Sequence, residues 1–185
     1  MDYDRLLRSS RKKPLLEMDS LVGESGFTAL SFGQEAIKRV IPHRDPFLLI
    51  DALHGLYRSE DTEVIFGSRY IDRADPVFKG HFPDFPVYPG CLQVEMSGQL
   101  GLCLTHFLGR EDADIPMDAS PVPVRATKLL GAYFVTPLLP DKEAWIIVRK
   151  LQYDGYFGTV HSQVLCGGQV CCTSIAEVVF LSEAL

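Results

Sequence analysis

The stretch GCLQVEMSGQLGLCLTHFL (Gly90–Leu108) decides the fold, because it carries the one sustained helical period in the chain. Leu92, Val94, Met96, Leu100, Leu102, Cys103, Leu104, Phe107 and Leu108 cover most of such a helix's circumference, which predicts burial nearly all round. At the usual rise per residue the helix would run roughly 28 Å. Pro89 suits its first turn, where a missing amide hydrogen is not needed. Gly109 is placed to stop it in a left-handed conformation.

Outward from this helix the pattern is strand. On the N-terminal side, Phe47–Ile50, Leu56–Ser59 and Thr62–Tyr70 are strand-like. On the other side strands are predicted around Arg125–Phe134, Ala144–Tyr153, Gly158–Cys166 and Val170–Leu181. Asp154-Gly155 and Gly167-Gly168 are hairpin signals that link the last three into a meander. Residues 109–123, polar and proline-bearing, read as a solvated loop whose acids lack the ligand spacing of a calcium loop. Ser31-Phe32-Gly33-Gln34 fits a capping box, predicting a short helix to about Val40 that stops ahead of Pro42. One long apolar helix among antiparallel strands predicts an α+β architecture in which a sheet wraps around the helix. Residues 1–30 read as a partly helical, partly flexible extension, and 31–185 as a single domain. The cluster Arg8, Arg11, Lys12 and Lys13 in that extension reads as a solvated segment.

Composition narrows the function classes. A length of 185 residues and 46% hydrophobic content support one real core. A net charge of −6 argues against nucleic acid, since binding by counterion release needs a dense cationic face. No apolar run is long enough to span a membrane, and the charged N-terminus lacks the apolar core of a signal peptide. The five cysteines are odd in number, sit in apolar surroundings and form no C-x-x-C pair, so buried free thiols in a reducing cytoplasm are predicted rather than zinc or disulfides.

Chemistry concentrates just ahead of the helix, in GHFPDFPVYPGCLQVE (80–95). Pro83, Pro86 and Pro89 each fix φ and donate no amide hydrogen, so the connection is stiff and extended. The amides of Gly90 and Cys91 stand at a helix start, where unpaired N–H groups carry partial positive charge and can receive a carbonyl or enolate oxygen. Glu95 is the single acid of the helix. In a dry site, desolvation outweighs the helix dipole and would keep it protonated as a general acid, while His81 would stay neutral as a base. Gln99, four residues on, shares its face and could orient the carboxyl. From the residues alone, a structural reading stays open: a satisfied core histidine, and a glutamate supporting a helix start.

The stretch Ile41-Pro-His-Arg-Asp-Pro-Phe-Leu-Leu-Ile-Asp51, then Gly80-His-Phe-Pro-x-x-Pro-Val-x-Pro-Gly90 and Glu95-Met-x-x-Gln99, resembles the 3-hydroxyacyl-acyl-carrier-protein dehydratases of bacterial fatty-acid synthesis (FabZ/FabA type). Order and spacing match from about Gly33 to Leu181. The resemblance implies the hot-dog fold, a bent antiparallel sheet around a long central helix, in a dimer with sites at the subunit interface. It implies His81 as catalytic histidine, Glu95 as catalytic acid from the partner subunit, and Gly90 and Cys91 as the amides that hold the thioester carbonyl. It implies no metal or cofactor, a cytoplasmic enzyme, and acyl carrier protein as partner, for which Arg39, Arg44, Arg125, Lys128, Arg149 and Lys150 are cationic candidates. Glu95, Gln99 and the Pro-His-Arg start resemble the dehydratase-only type, whereas Pro89-Gly90-Cys91-Leu92 resembles the type that also isomerises trans-2 to cis-3. Tyr133-Phe134, Pro140-Asp141-Lys142, Tyr88 and the N-terminal extension depart from the family's pattern, which leaves chain length, carrier docking and pathway open. The alternatives are a thioester hydrolase of the same fold and a non-catalytic acyl-binding protein.

Overall fold

The computed structural model describes residues 1–181. Two short helices, α1 (Tyr3–Ser9) and α2 (Met18–Leu21), precede β1 (Phe27–Gly33), α3 (Gln34–Val40), β2 (Ala52–Arg58) and β3 (Glu63–Ile71). After the long helix α4 (Gly90–Phe107) come β4 (Val124–Phe134), β5 (Lys142–Tyr153), β6 (Phe157–Cys166) and β7 (Gln169–Phe180). The strands form one sheet, antiparallel at every pairing, in the order β1-β2-β3-β5-β6-β7-β4. Register shifts in β1–β2, β4–β7 and β5–β6, among others, mark the bulges that let such a sheet curl.

That curl wraps the sheet around α4. Met96, Leu100, Cys103, Leu104 and Phe107 on the helix are buried against Ile146, Val148, Val164 and Cys172 of the strands. Gly67 on β3 permits the close approach, since a Cβ there would lie 2.9 Å from Leu100 Cδ1. The fold is therefore the predicted α+β hot-dog arrangement. The turns are as read: Gly155, Gly167 and Gly168 all have positive φ, and so does Gly109 beyond the end of α4.

Local details differ. There is no capping box, because Ser31 lies inside β1 and Gly33 caps α3 without a side-chain hydrogen bond. β1 also begins at Phe27, ahead of the boundary predicted at residue 31. Phe47–Ile50 is buried from Leu48 onward but belongs to no strand. The Phe47 carbonyl and Leu49 amide are instead taken up by the side chain of Gln99, at 2.9 and 2.7 Å. Burial of α4 is not all-round in the single chain: Cys91 and Gly98 are exposed and Leu92, Val94, Glu95, Leu102 and Thr105 only half-buried. These positions make one stripe along the helix, left open because the sheet covers only part of its circumference. Cys91 is accordingly an exposed thiol, while burial pushes the thiols of Cys103, Cys171 and Cys172 up to about 12.

The N-terminal segment is fastened to the sheet. Leu7 is buried, and Ser10 Oγ bonds Thr173 Oγ1 and His161 Nε2 at 2.9 and 3.1 Å. The Gln163 amide donates to the carbonyls of Ser10 and Lys13 and accepts from the Leu15 N–H. His161 is wholly buried, and the Arg149 guanidinium faces its Nδ1 at 3.3 Å. A guanidinium can only donate, so the ring is neutral with its proton on Nε2. Burial, with the Arg149 charge second, pulls its pKa down to about 4.

Candidate active site

The site grows out of the proline-stiffened connection into α4. A single 3-10 turn, Pro76–Lys79, is capped by Asp75 and delivers the chain to His81. His81 is tied to the far end of its own loop: its carbonyl accepts from the Val87 amide at 3.1 Å and its Nδ1 meets the Val87 carbonyl at 2.8 Å. A carbonyl only accepts, so Nδ1 carries a proton and Nε2 is the ring nitrogen left free. Tyr88 then anchors the loop through its amide to the Leu138 carbonyl at 2.7 Å.

The helix begins at Gly90 with Pro89 as cap and no side chain closing the turn. The first amides bonded back are those of Leu92 and Gln93, both to the Pro89 carbonyl, and among the described residues those of Gly90 and Cys91 find no acceptor. Phe134 at the end of β4 lies against Gly90, where a Cβ would come within 2.6 Å of its ring. His81, Val87, Gly90, Cys91 and Phe134 together line one open cavity. His81 and the two unbonded amides thus open into the same space.

Glu95 does not join them. It lines a second cavity of about 450 Å³ that follows the open stripe of α4 past Gly98 and Leu102 to Leu108, between Val124–Ala126 of β4 and the strands beyond. Its walls are largely apolar, and Tyr153 and Phe180, with ring centroids 4.8 Å apart and planes tilted by 58°, stand near Leu108. His81 and Glu95 line different cavities. The Glu95 carboxylate is held on one oxygen: the Gln99 amide donates to Oε1 at 2.9 Å, and His43 Nε2 lies 3.4 Å from the same atom. Glu95 remains about a third exposed in the single chain, so the fully dry environment predicted for it is not built by one chain alone.

His43 is the residue that sequence reading passes over. It sits before the Phe47–Leu49 segment, which Gln99 ties to the helix, and its Nδ1 is buried without a partner. Its only signal is the Pro-His-Arg start, which carries no geometry by itself. Among the described residues no group of three or more His, Cys, Asp or Glu could hold a metal ion, and no helix is long and apolar enough to cross a membrane.

Of the cationic candidates, Arg39 and Arg44 donate to backbone carbonyls, Arg149 faces His161 and Lys150 pairs with Glu63. Arg125 and Lys128 are exposed on β4.

The family model for the FabA-like domain matches residues 41–173. Among curated proteins, the 3-hydroxyacyl-acyl-carrier-protein dehydratase FabZ of Halalkalibacterium halodurans is 49% identical over 69 residues, 37% of this chain and 47% of that protein. The protein of the same name from Campylobacter lari is 38% identical over 104 residues, 56% of this chain and 66% of that one. The chain thus aligns with between about half and two thirds of the length of these relatives. Among solved structures, a chain of the dehydratase heterocomplex ApeI:P from Xenorhabdus doucetiae superposes with a TM-score of 0.56 at 19% identity, covering 80% of this chain and 91% of that one, which speaks for the fold alone.

Proposed function

We propose that this chain, which belongs to the FabA-like domain family, dehydrates (3R)-3-hydroxyacyl thioesters carried on acyl carrier protein, to trans-2-enoyl thioesters, in fatty-acid or related lipid or polyketide synthesis. The observation that carries the reading is the shared cavity of His81 and the two unbonded amides at the start of α4. The relatives named above support the same chemistry.

In the proposed mechanism the thioester carbonyl accepts from the Gly90 and Cys91 amides, which makes the C2 hydrogen more acidic. Nε2 of neutral His81 removes that proton, and the Val87 carbonyl steadies the imidazolium that results. Glu95 of a second subunit gives its proton to the departing 3-hydroxyl, which leaves as water. His81 has then gained one proton and Glu95 lost one, and exchange with water restores both. The acyl chain lies along the open stripe of α4 in the apolar cavity that ends near Tyr153 and Phe180.

Two observations support the second subunit's role. The acid and the base open into different cavities of one chain. β4, with only β7 beside it, offers an unpaired edge next to the open stripe of α4, where a second copy would close the site.

Mass spectrometry of purified protein with 3-hydroxyoctanoyl-acyl-carrier protein tests this. Loss of one water is expected, and loss of turnover in His81→Ala and in Glu95→Gln. Release of free thiol in place of water, or near wild-type turnover in either variant, would overturn it.

A further inference from the structure

The N-terminal 13 residues hold five cations and two acids in a chain whose net charge is −6. Arg8 is paired with Asp4, but Arg11, Lys12 and Lys13 have no carboxylate within ion-pairing distance among the described residues, and both lysines are exposed. A run of this kind on a loose tail would carry no meaning. Here its backbone is pinned on both sides. Ser10 is held by Thr173 and His161, while the Lys13 carbonyl and the Leu15 amide are held by Gln163. Burying a histidine and a glutamine on the outer face of a sheet is costly unless they are satisfied; this segment takes up Gln163 and shares His161 with Thr173 and Arg149. The run is therefore presented in a fixed place.

That place is the outer face of the sheet, at the end of β4 from which Phe134 turns to the other face and into the cavity of His81. Arg11 lies over the ring of Tyr133, 4.7 Å from its centroid, and Arg8 is beside the Tyr133 hydroxyl. The next residue of the strand, Phe134, lines that cavity and lies on Gly90. Lys79, two residues before His81 and exposed, adds another cation to the loop, which also holds one exposed acid, Asp84.

We propose that the Arg11–Lys13 run is a preformed docking surface for an acidic protein that carries the thioester to the His81 cavity. The inference rests on the dehydratase reading for the nature of the cargo. A protein partner, rather than a small anion, fits because the run is open, its lysines exposed, and because an acidic partner must meet a local cationic surface before the repulsion of the net charge is overcome. Charges of this exposed kind act on encounter and on salt dependence rather than on the chemical step.

The test uses Lys12→Glu/Lys13→Glu, with Arg11→Gln as a milder second variant, in the full chain and with thermal unfolding as the control for folding. Three forms of one substrate are compared: 3-hydroxyoctanoyl-acyl-carrier protein, the coenzyme A thioester and the N-acetylcysteamine thioester. KM for the carrier-bound form should rise at least about tenfold, more steeply at low salt than at high salt, with kcat/KM for the N-acetylcysteamine form unchanged. An equal loss with coenzyme A would mean that the run reads phosphates of a small substrate, and an unchanged KM for the carrier would mean that it docks nothing; either overturns the proposal. Binding of the carrier protein to wild type and variant by surface plasmon resonance decides the docking by itself. If none of the three forms turns over in the wild type, the dehydratase reading fails while the binding result still stands.

Discussion

At the scale of single residues, the site depends on which atom of each side chain is already occupied. The Val87 carbonyl takes Nδ1 of His81 and leaves Nε2 as the free nitrogen. Gln99 makes three hydrogen bonds at once, to Glu95, to the Phe47 carbonyl and from the Leu49 amide. Gln99→Leu keeps the size and loses all three, leaving a buried N–H unpaired, which costs about 1–3 kcal/mol. The expected outcome is a lowered unfolding midpoint together with reduced turnover, read by thermal melts and steady-state kinetics. Gly90→Ala places a methyl 2.6 Å from the Phe134 ring. Displacement of the amide by a fraction of an ångström should then lower kcat/KM by at least about tenfold in a folded protein, with circular dichroism as the check on folding. The Glu95–Gln99 contact was legible in the sequence because spacing along one helix fixes it. His43 was not, because it reaches Glu95 from another element and nothing local encodes that approach.

At the scale of elements, the long helix and the last four strands could be read from period and turn residues, since Gly155, Gly167 and Gly168 demand the conformations they adopt. The segment Phe47–Ile50 misled because its backbone partner is a side chain from α4 rather than a strand. The N-terminal segment was legible only in part, for a related reason. Its charge pattern reads as solvated, while the polar side chains that fasten it sit more than 140 positions later, on β6 and β7. That fastening has a pH signature. The folded His161 is held neutral with a pKa of about 4, against an ordinary value of 6.5. The unfolded chain binds the proton first, so the contribution is complete above about pH 6.5 and is lost as pH falls toward 4, worth at most about 3 kcal/mol. The unfolding midpoint should fall across that window in the wild type, and the slope should flatten in His161→Gln. A slope unchanged by the substitution would mean that other groups set it.

At the scale of the whole molecule, one chain supplies two incomplete cavities. The first holds His81 and the two unbonded amides, the second Glu95 and an apolar channel. The open stripe of α4 and the unpaired edge of β4 lie side by side, as a second copy would require. Sequence period predicted burial around the whole helix, and the part left open is the part that a single chain cannot cover. The channel's end is testable at this scale too. Replacing Phe180 by Ala removes one ring of the tilted Tyr153–Phe180 pair and should shift the preferred substrate toward longer acyl chains in a competition assay; an unchanged preference would place the chain elsewhere.

The central claim is that His81 of one subunit works with Glu95 of another. Co-expression of His81→Ala and Glu95→Gln chains, each inactive alone and carrying different affinity tags, tests it directly. Random pairing puts half the dimers in the mixed form, each with one intact and one doubly altered site, so about a quarter of wild-type activity should return. Isolated mixed dimers should show about half. No recovery in tag-purified mixed dimers would contradict a shared site and put both residues to work within one chain.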